Sequence, residues 1–253
     1  MYHIVQENCF KEPHYNKLIE SLIRLDLPYE IIKLKPFIED IEYTTDRKDV
    51  MVWGAIKLAR LAKEKDWNPG SFMSDKHDYD YYSKYFKDSL FNNDSKIIKY
   101  SDKDVELPEL FFARPTKDSK AFTGKVMDKY EFEFMRSTLK KNNWVKEDFN
   151  IQIAPVKKVF SESRFWVVDG KVITGSYYRR GGKYYLEEIS DYHHLFKYAQ
   201  HKVDEHQIAE AFVIDICESE GRLSIMEFGC INCAGFYLGD MQKVVMALEN
   251  KFN

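Results

Sequence analysis

Apolar positions change period near the middle of the chain, and the change divides it into two stretches. In the first, YHIVQ at 2–6 has the short apolar run of a strand, HYNKLIESLIRLDL at 14–27 repeats apolar residues at helical spacing, and YEIIKLK at 29–35 returns to an extended pattern. DVMVWGAIKLARLAKEKDW at 49–67 predicts a strand running through Gly54 into a helix, which stops before Asn68, Pro69 and Gly70. This alternation is an open α/β layout. From 75 to 103 Asp, Tyr and Lys accumulate without a clean period, although YDYYSKYFKDSLF has the spacing of a helix with an aromatic face. A domain boundary is placed near Pro108.

The second stretch opens with FFARPTKDSKAFTGKV and a helical pattern over 128–142, then turns to strands. VKKVFSESRFWVV, KVITGSYYRR and KYYLEEI are separated by Asp169-Gly170 and Gly181-Gly182, dipeptides that favour primed hairpin turns. With a two-residue turn at Asp169-Gly170, Val168 faces Lys171, Arg164 faces Gly175, Glu162 faces Tyr177 and Phe160 faces Arg179. Counting by twos puts Lys158, Glu162, Arg164, Tyr177 and Arg179 on one face. Three cations and one acid suit an anion, while a plainly solvated face explains the same pattern.

Two further pieces add to the anion reading. In FFARPTKDSKAFTGKV an apolar strand delivers Arg114, Pro115 ends it, and a loop with Lys117, Ser119 and Lys120 leads to Thr123-Gly124. Such a loop can fold over phosphates, although it lacks the glycine spacing of a P-loop or Rossmann turn, and a solvated basic loop is its alternative. AFVIDICESEGRLSIMEF then predicts two strands around a Ser-Glu-Gly turn, with Asp215 on one and Glu227 on the other. An odd-length loop puts both acids on one face and an even-length loop puts them on opposite faces. Acids paired in strands this apolar repel unless a divalent ion lies between them, and magnesium accepts such oxygens together with phosphates. Asn232, in IMEFGCINCAGFY, offers a neutral oxygen nearby. The alternative is an acid at a frayed strand end, paired with a lysine.

Composition narrows the class. The chain has 253 residues and is 44% hydrophobic, enough for a substantial core. Its 38 Lys and Arg against 41 Asp and Glu exert no overall pull on nucleic acid or anionic lipid, although local basic clusters leave phosphate binding open. No run long and apolar enough to span a membrane and no secretory leader is evident, and four Cys without a framework fit a reducing compartment, so a cytoplasmic location is expected.

In order, RPTKDSKAFTGKV, SESRFWVVDGKVITGSYYR, FVIDI and MEFGCINCAGFY resemble the ATP-grasp ligases, and most of all the atypical clade named for its Arg and two Lys, common in phage and bacterial genomes. The resemblance covers residues 108–253, which it implies are an ATP-grasp domain of two α+β subdomains clasping ATP, preceded over 1–107 by a small α/β pre-ATP-grasp domain. It implies an ATP- and Mg2+-dependent ligase that activates a substrate carboxylate as an acyl phosphate for attack by an amine or, less often, a thiol. Arg114, Lys117 and Lys120 take the phosphate-binding places, Ile153, Ala154 and Val156 the adenine hinge, with Lys158 just beyond and Glu162 at the acid-x-Arg step. Arg164 and Arg179 match the arginines that stabilise phosphoryl transfer, and Asp215 and Glu227 the magnesium ligands, with Asn232 a further candidate. The sequence departs from the pattern at Gly229, where common relatives carry an Asn two residues after the metal-binding Glu.

Small-molecule or peptide acids and amines are the implied partners, with no membrane; the sequence names neither substrate nor oligomeric state. The alternatives are an ATP-binding module that has lost turnover, a nucleic-acid-associated protein using the basic hairpin and the Tyr79–Tyr85 run, which the net charge of −3 disfavours, and an ATP-grasp enzyme modifying nucleotides or nucleic acid. Cys230 and Cys233 lack a second pair for zinc and are expected to pack, and His193, His194, His201 and His206 are expected to be solvated.

Overall fold

The computed structural model describes residues 1–7, 16–35, 41, 43–103, 105–117, 121–142 and 147–253. The first layer is a three-stranded parallel sheet of β1 (Tyr2–Gln6), β2 (Tyr29–Ile32) and β3 (Val50–Trp53), in the order β2-β1-β3. Helices α1 (Asn16–Arg24) and α2 (Ile56–Glu64) follow β1 and β3. All four residues of β3, VMVW, are buried, as expected of a parallel strand covered on both faces. Helix α3 (Tyr79–Phe86), seen in the sequence as an aromatic face, lays Tyr82 and Phe86 against Phe228 at ring separations of 5.0 and 4.9 Å.

A four-stranded antiparallel sheet in the order β4-β7-β5-β6 contains β4 (Lys96–Lys99), β5 (Leu110–Pro115), β6 (Lys125–Asp128) and β7 (Asn150–Pro155). Helix α4 (Lys129–Lys141) starts at a capping box in which Asp128 accepts from the Glu131 amide at 2.8 Å and Glu131 accepts from the Asp128 amide at 3.2 Å. The aperiodic stretch before Pro108 hides β4, which pairs with β7 from Lys96↔Ile153 to Lys99↔Asn150. The boundary expected near residue 108 therefore falls between two strands of one sheet.

The largest sheet has five antiparallel strands in the order β10-β9-β8-β11-β12: β8 (Ser161–Val168), β9 (Lys171–Arg180), β10 (Lys183–Ile189), β11 (Ala211–Ser219) and β12 (Arg222–Cys230). Its hairpins turn at Asp169-Gly170, Gly181-Gly182 and Glu220-Gly221, all with positive φ at both positions, the geometry of primed turns. Helices α5 (His194–Glu205) and α6 (Met241–Phe252) complete the chain. Among the described residues no helix is long and apolar enough to cross a membrane.

One buried cluster joins Val5, Leu18, Leu22 and Trp53 of the first layer to Trp166 and Val213 of the large sheet, Phe236 of the segment after β12, and Val244 of α6. At its edge Trp53 Nε1 donates to His3 Nδ1 (3.0 Å), so the other ring nitrogen carries the proton and donates to Glu249 Oε1 (2.9 Å). Burial pushes the Glu249 carboxyl up, but hydrogen bonding, His3 first, outweighs it and holds the group below its ordinary 4.5. A depressed carboxylate stabilises the fold above the unfolded value and loses that contribution as pH falls through the folded one. Below about pH 4.5 the wild type is expected to lose stability more steeply than Glu249→Gln, read as urea midpoints across the acid range.

Candidate active site

A cleft of about 690 Å³ lies between the four-stranded and five-stranded sheets. Arg114 and Lys117 line it from the end of β5, Val156 and Lys157 from the segment after β7, and Glu162, Tyr178, Arg179 and Glu227 from the large sheet. Phe91, Phe112 and Phe122 add apolar wall. Basic groups from one sheet thus face acids from the other.

Three register shifts create the acidic side. The β11–β12 turn has two residues, since Ser219 pairs with Arg222, and that even loop alone would set Asp215 opposite Met226. The register shifts between Asp215 and Ile216, and Asp215 pairs with Glu227 instead, so both acids meet across the hairpin. The β8–β9 hairpin shifts twice, between Trp166 and Val167 and again between Glu162 and Ser163, the latter opposite Tyr178. Glu162 therefore pairs with Arg179 and Arg164 with Ser176, where a regular hairpin gives Tyr177 and Gly175. Tyr178, not Tyr177, joins the site; Tyr177 turns to the other side against Tyr185 and His193.

Three carboxylates and three arginines then pair off. Arg164 forks onto Asp215 with Nε–Oδ1 and Nη2–Oδ2 both 2.8 Å, Arg179 Nη1 donates to Glu162 Oε1 at 3.1 Å, and Arg114 Nη1 donates to Glu227 Oε2. Tyr178 Oη is shared between Glu162 Oε2 (3.0 Å) and Asp215 Oδ2 (3.2 Å). Burial, then the Asp215 and Glu162 charges, hold its phenol well above the ordinary value, so it stays a donor. The Tyr178 ring stacks on Tyr237 at 4.9 Å, and the Arg164 guanidinium lies 5.8 and 5.3 Å from the two ring centres. Burial opposes the Arg164 charge, but Asp215 outweighs it and keeps the group firmly cationic. Tyr178→Phe is expected to lower stability by about 2 kcal/mol, the scale of a hydrogen bond to a charged group, in urea unfolding.

Exposure separates the residues expected at the site. The Glu227 side chain is 34% exposed and faces the cleft, whereas Asp215 is 2% exposed and lies beneath it with Arg164. Ile153 and Ala154 are buried inside the sheet, and β4 reaches along β7 only to Ile153. Lys158 is outside the cleft lining; its neighbour Lys157 enters instead, donating to Phe91 O (2.7 Å) and Asp94 Oδ1 (2.6 Å). Lys120 lies outside the described residues.

Asn232 has a different task from the one its sequence position suggests. It is fully buried, its oxygen accepts from Phe72 N (2.8 Å) and the Cys230 thiol (3.2 Å), and its amide donates to Val52 O (2.7 Å) and Gly70 O (3.2 Å). The oxygen a cation would need is already bound, and Asn232 acts as a strut from the end of β12 to the first layer. Cys230 is buried and packs, as expected, while His193 and His206 are half-buried among aromatic rings, His206 stacking on Tyr85 at 3.7 Å.

Glu227 offers the cleft a carboxylate, the hard oxygen donor that magnesium takes rather than a softer metal, while both oxygens of Asp215 are engaged by Arg164 and Tyr178. Among the described residues no cluster of three or more His, Cys, Asp or Glu is poised to hold a metal. Phosphates and water would have to supply the rest of such an ion's shell.

Similarity to known proteins bears on the fold. The chain superposes on D-alanine–D-alanine ligase from Bacillus anthracis complexed with ATP with a TM-score of 0.60 and 13% identity, over 98% of this chain and 96% of that one. For the D-cycloserine synthetase DcsG the values are 0.65 and 9%, over 100% and 99%, and for a RimK domain ATP-grasp protein from Sphaerobacter thermophilus 0.61 and 8%, over 97% and 98%. No curated protein sequence matches the chain. A family model for the ATP-grasp domain, family 3 of the clade named for one Arg and two Lys, matches residues 36–248. With a cleft between two sheets, an acid pair facing an arginine across it and a match over most of its length, the chain has the ATP-grasp fold and belongs to family 3 of the Arg-and-two-Lys clade of ATP-grasp domains.

Proposed function

We propose that this chain is an ATP-dependent ligase joining a carboxylate to an amine. The observation that carries the reading is the meeting, in one cleft, of Arg114 from the small sheet and Glu227 from the large one, with Asp215 paired opposite Glu227. A triphosphate entering there takes Arg114, Lys117 and Lys120 as its cations, and Arg179 reaches it from the opposite side. Pro155 and Val156, at the end of β7, border the adenine end. Glu227, backed by Asp215, would hold magnesium, which supplies charge neutralisation on the phosphates when bound.

The reaction needs no nucleophilic side chain. A carboxylate oxygen of the substrate bonds to the γ-phosphorus and the bond to the β-bridging oxygen breaks, releasing ADP. The amine nitrogen then bonds to the acyl carbon, phosphate leaves with the C–O electron pair, and the nitrogen loses a proton. Arg114 and Arg179 stabilise the charge gathered on the transferred group, while Arg164 fixes Asp215 and so the strand pair beneath Glu227.

Calorimetry with a non-hydrolysable ATP analogue tests this. Binding is expected to require magnesium, and Glu227→Ala should weaken it by about tenfold or more. No binding to the wild type at about millimolar analogue would sink the proposal. Gly229 and the engaged Asn232 favour a second reading, a nucleotide-binding module without turnover; it predicts the same binding and no ADP release with any acid and amine.

A further inference from the structure

The ion pairs of the cleft differ in how firmly they are held. The Arg164 and Asp215 side chains are 14% and 2% exposed, so their pair belongs to the core beneath the cleft. Those of Arg114 and Glu227 are 20% and 34% exposed, and they reach each other from opposite walls. Arg114 comes from β5, which is paired on both edges, with β6 and with β7, and Glu227 comes from β12, where it lies opposite Asp215. Two strands fixed in separate sheets are thus tied to each other by a guanidinium on a carboxylate.

This pair joins the two groups that a magnesium nucleotide would separate. In the ligase reading the triphosphate takes Arg114 and magnesium takes Glu227. A metal-free triphosphate on Arg114 draws the guanidinium off Glu227 and leaves that carboxylate facing a polyanion. Magnesium alone on Glu227 sets a dication against the guanidinium. Each ligand by itself therefore weakens a favourable pair and creates a like-charge contact. Together they exchange one ion pair for two, Arg114 on phosphate and Glu227 on magnesium, and no like charges are left facing. Both side chains are partly exposed, so the exchange strips no buried charge, as opening the Arg164–Asp215 pair would.

We infer that the Arg114–Glu227 ion pair is a latch across the cleft, which nucleotide and magnesium open together, so that each binds poorly without the other. The inference rests on the ligase reading for the identity of the two ligands. Coupling of this kind is reciprocal: the factor magnesium adds to nucleotide affinity, nucleotide adds to magnesium affinity. It is separate from the affinity of the two ligands for each other in solution, because it resides in two side chains and changes when either is altered. Glu227 then acts in opposite directions, strengthening the binding of magnesium nucleotide and weakening that of the metal-free form.

Calorimetry with a non-hydrolysable ATP analogue in EDTA tests the latch on the wild type, Glu227→Gln, Arg114→Gln and the double variant. Glu227→Gln is expected to bind the metal-free analogue about tenfold or more tightly than wild type, the reverse of the effect expected with magnesium. Arg114→Gln alone should stay within about threefold of wild type, since Glu227 already engages Arg114, and the double variant should lose the gain. A gain below about threefold in Glu227→Gln would overturn the inference, as would a gain that survives Arg114→Gln, the result that loss of a negative charge alone would give. Magnesium without nucleotide supplies the reciprocal arm and keeps the test decisive if Glu227→Gln fails to fold: Arg114→Gln should bind it about tenfold more tightly than wild type, and equal affinity would overturn the inference. If the wild type fails to bind the analogue even with magnesium, the ligase reading falls and the latch with it. Binding with magnesium but no gain in EDTA removes the latch alone.

Discussion

Arg164→Ala is expected to destabilise the protein by about 3–5 kcal/mol, the scale of a buried ion pair broken from one side. Asp215 would keep its place, 2% exposed, with both oxygens stripped of the guanidinium and with Glu227 opposite. It would have to be neutralised by a proton or draw water into the core. The aromatic pair Tyr178 and Tyr237 would also lose the cation over its rings. Removing both charges, as Arg164→Leu with Asp215→Leu, should recover most of the loss, because no buried charge is then orphaned. Urea unfolding of the three proteins checks this. A single variant within about 1 kcal/mol of wild type would show that the pair is solvated and its geometry incidental.

Asn232→Ala should cost about as much for a different reason. The side chain fills partners on both sides: Phe72 N–H on its oxygen, Val52 and Gly70 carbonyls on its amide. Each buried group left unpaired costs about 1–3 kcal/mol, so a loss of roughly 3–5 kcal/mol is expected. The magnesium dependence of nucleotide binding, measured on the folded variant, should stay within about twofold of wild type. A large change in that dependence with little loss of stability would return Asn232 to the metal.

Much of the architecture is legible in local chemistry. Asp-Gly and Gly-Gly punctuate the large sheet where the hairpins turn, and the strand, glycine and helix of 50–64 follow their pattern. Register is less legible, because a bulge inserts one residue without changing composition. Asp169-Gly170 predicts the Val168 pair correctly, yet bulges beyond it move Arg164 from Gly175 to Ser176 and bring Tyr178 in place of Tyr177. Asp215 and Glu227 meet only because a bulge reverses the outcome of an even turn. β4 stays hidden because KIIK is too short to show a period, and its partner strand lies far along the chain. Asn232 misleads because an amide near an acid looks the same in sequence whether it faces a cleft or a core. Lys157 and Lys158 are adjacent, and the strand end alone chooses between them.

The cluster shared by the first layer and α6 has a consequence for how the chain acquires its structure. β1 and α1 are made before α6, but Val5, Leu18 and Leu22 are buried with Val244, Val245 and Leu248, roughly two hundred residues later. Their apolar surface must wait for α6 to emerge, which makes the first layer a late arrival in folding despite its place in the sequence. Long-range closure of this kind raises contact order and slows folding. The four-stranded sheet buries its own cluster around Phe111, Met127, Phe132 and Ile151, all within a short span, and is free to consolidate while the rest is still being made.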